Sequence, residues 1–484
     1  MHYHSTRSHT HQVSAMQAIL DGAAPDGGLY VPARFPAVDL STFAGLSYAE
    51  FAGETLHAFA PDFEKAGIKD ALRQAYAAFD RPEVTPLVAV GDSYVLELFH
   101  GPTAAFKDIA LQALPRLMQQ ARQRLANNTA YLVLAATSGD TGSAAMSGFA
   151  DLEGFSVLVY YPSYGISQVQ QAQMTRMPGR NLSAVGIFGN FDDAQSAVKA
   201  AFLQEAARAG GGISLSSANS INIGRLLPQM VYYIKACQHL RENKALRPGQ
   251  SVDFVVPTGN FGDILAGYLA KRLGCPIGRL VCASNANRVL TDFLQTGRYD
   301  SRRKLLQTLS PSMDILISSN LERLLYYALG EDAGQLAALM AALREGGCYQ
   351  LDKTALRHIQ DSFLGASVDD AQTKAAIHSV FHEHGYLMDP HTATAWQAQS
   401  VLPASDNPCV VLATASPFKF PETILTALHQ PVPASLEAMW QAISKLAALP
   451  LPAALRAVLD WPVRHKDVVD KADILKDIRQ RIAP

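Results

Sequence analysis

Three features of the sequence predict an α/β fold built on parallel sheets. Apolar runs of seven or eight residues are continuous rather than alternating, a loop rich in Gly, Ser and Thr follows each one, and an amphipathic helix follows the loop. A strand covered on both faces reads as a continuous apolar run, and intervening helices supply the crossovers of a parallel sheet. The pattern occurs four times. "AYLVLAA" (130–136) leads into "TSGDTGSAAMSGFADL", and "FSVLVYYP" (155–162) into "SQVQQAQMTRM". "SVDFVVP" (251–257) leads into "TGNFGDILAGYLAKRLG", and "PCVVLATA" (408–415) into "SPFKFPETILTAL".

The flanks read differently. Residues 13 to about 80 carry apolar residues at helical spacing in "VSAMQAILDG", "YAEFAGETLHAFA" and "KDALRQAYAAF", interrupted by the loop "AAPDGGLYVP". Short β-rich runs begin at "RPEVTPLVAVGDSYVLELF", and the last fifty residues are Ala/Leu/Pro-rich helix expected to pack on the outside. The first residues, "MHYHSTRSHTHQVS", hold histidines 2, 4, 9 and 11 but no nearby cysteine or carboxylate. They read as a polar terminal segment rather than a metal site, and they lack the apolar stretch of a signal peptide.

With 484 residues, 48% of them hydrophobic, the chain can bury several cores. Its 41 basic and 43 acidic residues leave a formal charge of −2, which gives no reason to expect nucleic acid or an anionic membrane. Five scattered cysteines with no CxxC pair predict neither a disulfide framework nor a zinc site, and a reducing cytoplasm suits them. No apolar run approaches the roughly 20 residues of a membrane helix.

Lys107 stands out in "ELFHGPTAAFKD" (97–108), a cation among small and apolar residues. With Thr103 as N-cap, "AAFKDIALQALPRLMQQ" reads as one helix with the lysine near its first turn. Burial and the helix dipole would both push its pKa down, and a neutral amine attacks aldehydes. Asp108 is discounted as its ion-pair partner, since adjacent helical residues point apart. On this residue alone, an ordinary helix-start lysine remains an open reading.

Three loops bear on the choice. In "TGNFGD" (258–263), Gly259 and Gly262 allow close backbone approach, and the following helix offers unpaired N–H groups to an anion. It matches neither a Walker A loop nor GxGxxG, so a nucleotide is not favoured. "TSGDTGSAA" (137–145) brings hydroxyls and glycines to an equivalent position, without the G-x-S-x-G elbow that would make Ser138 a nucleophile. "SANSINIGRLLPQMVYY" (217–233) places Asn219, Ser220, Asn222 and Arg225 ahead of a helix, where Arg225 can grip a phosphate bidentately. Each loop also has a plain reading as a turn or cap. Together, a buried-type lysine, a phosphate cradle and a second anion site fit an enzyme that uses pyridoxal phosphate.

The segments "LFHGPTAAFKD", "ATSGDTGSAA", "SANSINIGRLLPQ", "PTGNFGD", "SPSMDILISSNLERLL" and "GYLMDPHTA", with "STR" and "DGGLYVP" before them, resemble the threonine synthase family. The resemblance runs in order over roughly residues 5 to 425 and stops near 430. It implies a fold-type-II, tryptophan synthase β-like architecture of two open α/β subdomains and an N-terminal helical domain. The corresponding boundaries are 1–80 (N-terminal, mainly helical), 81–430 (catalytic) and 431–484 (a C-terminal helical extension). Within the catalytic region, a mobile subdomain at about 100–230 closes over substrate and a large one covers about 231–430.

The resemblance also implies the site. Lys107 would carry pyridoxal 5'-phosphate as a Schiff base, and Gly259, Asn260, Phe261, Gly262 and Asp263 would hold its phosphate. Asp140 would lie at the ring hydroxyl, where relatives with a "GNT" loop have asparagine, and Thr414 would meet the pyridine nitrogen. Asn219, Ser220, Asn222 and Arg225, with Thr137, Ser138 and Thr141, would bind the substrate's phosphate. No metal is implied. The reaction implied is O-phospho-L-homoserine plus water giving L-threonine plus phosphate, the last step of threonine synthesis, by a monomer or homodimer. His391 and Asp389 are read as structural, because the lysine covers the proton transfers. A phospholyase acting on a similar amino acid and a non-catalytic binder of the cofactor are the competing readings.

Overall fold

The structure, a computed structural model, describes residues 1–43, 45–126, 128–206 and 213–482. All four strand–loop–helix units form. Strand Ala130–Ala136 leads to helix Asp140–Phe149, Phe155–Pro162 to Gln168–Arg176, and Val252–Pro257 to Gly262–Arg272. Strand Cys409–Ala413 reaches helix Pro421–Ala427 through the turn Pro417–Lys419.

These units sort into two sheets. The first has five parallel strands in the order Val468–Asp470, Leu182–Phe188, Phe155–Pro162, Ala130–Ala136, Ile213–Ser217. The second has six in the order Phe363–Ser367, Ile277–Ser284, Val252–Pro257, Cys409–Ala413, Ser93–Glu97, Leu87–Val90. Only its last pair is antiparallel, a hairpin at Gly91 and Asp92. The inner strands are buried on both faces, which is why they read as continuous apolar runs. Helix Ile223–Glu242, buried over most of its length, lies against helices Gly262–Arg272, Tyr48–Phe59 and Lys107–Leu111, and so ties the N-terminal region to the segment bearing Lys107.

Three expectations are corrected. First, the N-terminal region is not helical throughout. Helices Ala15–Asp21, Tyr48–Phe59 and Lys65–Tyr76 form, but His2–Ser5, Ser8–Ser14 and Tyr30–Pro32 make an antiparallel sheet. The supposed polar terminal segment is pinned from far away. Arg7 and Thr6 bond to Glu322, and His4 and His9 both bond to the Tyr326 hydroxyl. Among the described residues no group of three ligands suited to a metal ion occurs.

Second, the stretch after Thr103 is two helices, Lys107–Leu111 and Leu114–Arg124. Pro115 has no N–H to bond the Leu111 carbonyl and crowds it, so the helix breaks there. Gly148 from helix Asp140–Phe149 comes so close to that carbonyl that an added Cβ would lie 2.0 Å from it.

Third, the C-terminal segment is not wholly helical. Besides helices Leu436–Ala447, Ala453–Asp460 and Ile474–Ile482, it lends strand Val468–Asp470 to the edge of the five-stranded sheet. The last helix then packs Ile474 and Ile478 against Ile187 and Val198, with Asp477 accepting from the Tyr160 hydroxyl. A three-residue strand gets its pairing from the exposed sheet edge, which no local pattern announces.

Candidate active site

Lys107 opens helix Lys107–Leu111 behind a turn in which Ala104 adopts the left-handed conformation (φ 57°). The turn is stitched to the end of strand Cys409–Ala413. Phe106 N–H donates to the Thr414 carbonyl (2.8 Å), and Ser416 N–H donates to the Ala104 carbonyl (3.0 Å). Thr414 therefore lies beside the lysine segment. Thr103 does not cap the helix. Its N–H and hydroxyl bond instead to the Asp108 carboxylate at 2.8 and 2.7 Å, which also disposes of Asp108 as a partner for Lys107.

Burial pushes the Lys107 amine below its ordinary value, Arg225 and Lys419 add to that, and Asp140 and Asp263 oppose it. Burial was expected. The helix dipole matters less than supposed in a five-residue helix, and neighbouring cations take its place. Asp140 is the carboxylate nearest the amine, with Oδ2 3.7 Å from Nζ. It begins helix Asp140–Phe149 after Gly139, whose φ of 130° brings it against Gln170. Burial alone would raise the Asp140 pKa. The ammoniums of Lys419 (2.8 Å) and Lys107 overcome that and hold it well below the usual carboxylate range.

The loop at 258–263 has the geometry of an anion cradle. Phe261, in the left-handed region at φ 61°, turns the chain sharply into helix Gly262–Arg272. The first N–H groups of that helix have no acceptor within it. A Cβ on Gly259 would come 2.7 Å from the Ser312 carbonyl, so glycine is required at this close approach, and one on Gly262 would come 3.0 Å from Ser220 Cβ, a tight contact. Asp263 departs from expectation. Its carboxylate accepts from Tyr232 and Tyr233, and burial raises it to about 6, so what it can offer an anion is its N–H.

Arg225 is buried, and among the described residues its guanidinium makes a single hydrogen bond, to the Ala218 carbonyl (2.8 Å), with Nε left without a partner. No carboxylate pairs with it among the described residues. A guanidinium buried this way costs several kcal/mol unless an anion arrives. Asn260 Oδ1, Asp263 Oδ2 and Ser319 Oγ are likewise buried without partners. The Asn260 and Asp263 oxygens are acceptors, but the Arg225 Nε–H, the Ser319 hydroxyl and the cradle's backbone N–H groups, close to a deprotonation-prone lysine, can donate to a phosphate-bearing aldehyde.

Other residues expected at the substrate are already committed to the fold. Asn219 bonds both ways to the Ala136 backbone, Asn222 caps helix Ile223–Glu242 and donates to the Ile19 and Ser217 carbonyls, and Thr137 accepts from the Gly139 and Gly142 N–H groups. They shape the loops. Ser138 and Thr141 keep hydroxyls unengaged by described residues at the same helix start, and Ser220 accepts from Asn320 (2.8 Å). His391 is structural in its contacts. Ser312 N–H donates to Nε2 (3.2 Å), so the ring N–H is on Nδ1, facing Asp389 (2.8 Å), which caps helix Pro390–Ala398.

Sequence reasoning missed the residues that join the loops. Ser312 touches Asp140 and backs Gly259, and Asn320 bonds to both the Asn260 carbonyl and Ser220. Both lie in "SPSMDILISSN", quoted for its resemblance without a site residue being drawn from it. Lys419 was missed although "SPFKFPE" sets it between two phenylalanines just after a buried strand, a setting even more apolar than that of Lys107.

Comparisons with known proteins show the family. Three family descriptions match: "Threonine synthase N terminus" over residues 2–76, "Pyridoxal-phosphate dependent enzyme" over 83–414, and "Threonine synthase, C-terminal" over 392–478. The last covers the stretch past 430 where motifs gave no resemblance. The threonine synthase of Pseudomonas aeruginosa is 40% identical over 430 residues, 88% of this chain and 90% of that protein. That of Saccharomyces cerevisiae is 39% identical over 461 residues, 88% of this chain and 89% of that protein. Among solved structures, pyridoxal-phosphate-bound threonine synthase from Brucella melitensis superposes with a TM-score of 0.86 at 38% identity, covering 100% of this chain and 98% of that one.

Proposed function

We propose, for a chain that belongs to the threonine synthase family and is a pyridoxal-phosphate-dependent lyase, that it converts O-phospho-L-homoserine and water to L-threonine and phosphate at the site around Lys107. The observation that carries the substrate is Arg225, a buried guanidinium with an unpartnered Nε and no carboxylate on it. A second phosphate, beyond the one in the glycine cradle, is the anion it lacks.

Lys107 is the residue we assign to the covalent link with the cofactor's aldehyde, because burial and two cations favour its neutral, nucleophilic amine. The Gly259–Asp263 loop and the N–H groups after it hold the cofactor's phosphate. When bound, the cofactor supplies an electron sink for charge developing at the substrate's Cα and then Cβ. Once its amine is free, Lys107 would take the proton from Cα and return protons further along, as general base and acid. The Thr414 hydroxyl would meet the ring nitrogen and, carrying no charge, would leave that nitrogen neutral. Arg225, Ser138, Thr141 and Ser220 receive the substrate phosphate, and Arg225 offsets its charge as it leaves.

A subdomain formed around the five-stranded sheet, at about 100–230, closes over the substrate. Five unpaired cysteines suit the cytoplasm, and no helix among the described residues is long and apolar enough to cross a membrane.

Phosphate release from O-phospho-L-homoserine, with amino-acid analysis of the product, tests the proposal. Threonine forming with phosphate, and lost in Lys107→Ala, is the expected result. Phosphate accompanied by 2-oxobutyrate would place the chain among phospholyases instead.

A further inference from the structure

Lys419 has entered so far only as a cation near Lys107, and its own contacts give it a further role. It stands in the turn Pro417–Lys419 with no exposed surface. Its Nζ donates to Asp140 Oδ1 at 2.8 Å and to the Thr103 carbonyl at 2.9 Å. Gln170 donates to the same Oδ1 at 2.8 Å. The other carboxylate oxygen looks the opposite way. Oδ2 lies 3.7 Å from Lys107 Nζ and accepts from Ser312 Oγ at 3.3 Å. One oxygen is therefore anchored by Lys419 and Gln170, and the other is presented to the reacting nitrogen. A buried ammonium needs a partner, and the partner here is the carboxylate within ion-pair distance of Lys107.

Resting on the assignment of Lys107 as the cofactor-bearing amine, we propose that Lys419 is a positioning residue. It keeps Asp140 ionised with Oδ2 on the Lys107 nitrogen, so that Asp140 is the counter-charge retaining a proton there. Four charged groups face Lys107: Asp140 from helix Asp140–Phe149, Arg225 from Ile223–Glu242, Asp263 from Gly262–Arg272, and Lys419 from its turn. Asp140 itself faces Lys419, Lys107 and His391, and Lys419 also faces Asp108 of helix Lys107–Leu111, whose carboxylate is bonded to Thr103. Asp263 is directed at Tyr232 and Tyr233, which leaves Asp140 as the carboxylate available to the nitrogen.

Lys419 could influence Lys107 in two ways, and these have opposite signs. As a bare cation it works against the proton, and removing it would raise the pH at which the nitrogen loses that proton. As the holder of Asp140 it works for the proton. Without it the buried carboxylate takes up a proton or turns away, and the midpoint falls.

The test is a pH titration of the cofactor's visible absorption in the loaded enzyme, comparing the parent with Lys419→Met, Lys419→Arg, Asp140→Asn and the Met/Asn double variant. Circular dichroism confirms folding. Lys419→Met and Asp140→Asn are each expected to lower the midpoint by about one pH unit or more. Lys419→Arg should restore most of it, and the double variant should fall no further than Asp140→Asn. A rise or standstill in Lys419→Met overturns the proposal. If that variant does not fold, an unchanged midpoint in the near-isosteric Asp140→Asn overturns it equally. Absorption that survives Lys107→Ala unaltered would instead overturn the assignment of Lys107.

Discussion

At Lys107 burial, Arg225 and Lys419 oppose a proton, while Asp140 and Asp263 favour one. That balance is what a lysine needs if it is to alternate between nucleophile and acid. Lys107→Arg keeps a cation but has no neutral amine, so turnover should drop at least about 10²-fold, the scale of lost acid–base catalysis, in a phosphate-release assay. Asp263 makes a separate prediction about stability. Burial raises its pKa from 3.8 to about 6, so the folded chain binds the proton more tightly than the unfolded one. The cost of ionising it is fully present above pH 6 and is relieved as pH falls toward 4. Asp263→Asn keeps an acceptor for the two tyrosines. Urea denaturation of the cofactor-free protein should show the variant more stable than the parent at pH 7, by up to about 3 kcal/mol for two pKa units. That advantage should vanish near pH 4.

The decisive elements are loops that exploit close backbone approach. Gly259 backs onto the Ser312 carbonyl, and an alanine Cβ there would sit 2.7 Å from it. Backbone on both sides has little room to yield, and overpacking costs about 1–3 kcal/mol. Gly259→Ala should weaken cofactor affinity about tenfold or more in an absorbance titration while the fold survives. Gly148 is the matching case for folding. A Cβ there would press on the Leu111 carbonyl left unbonded by Pro115, so Gly148→Ala should lose about 1–3 kcal/mol in chemical denaturation.

Across the whole molecule, the first residues are held by the other end of the catalytic region. Arg7 makes a bidentate contact with Glu322, 315 positions away, and that carboxylate is almost wholly buried. Arg7→Ala leaves it short of its cation, and a loss of about 1–3 kcal/mol is expected. Amide exchange should rise first in strands His2–Ser5 and Ser8–Ser14. A merely polar tail would show neither effect.

The sequence by itself determined the four strand–loop–helix units, the parallel sheets, the buried setting of Lys107 and the close backbone approach at Gly259. Each is written in local spacing, as a continuous apolar run, a glycine before a helix start, or a lone lysine among apolar neighbours. Only the tertiary structure decided the rest. It directed the Asn219, Asn222 and Thr137 side chains to the backbone, turned the Asp263 carboxylate onto two tyrosines, and drew Ser312, Asn320 and Lys419 into the site. It also made strands of two terminal segments. A buried polar group must find a partner. For Asn219, Asn222, Asp263, Ser312, Asn320 and Lys419 that partner lies far away along the chain, where local pattern carries no trace of it, whereas Thr137 finds its partners within its own loop.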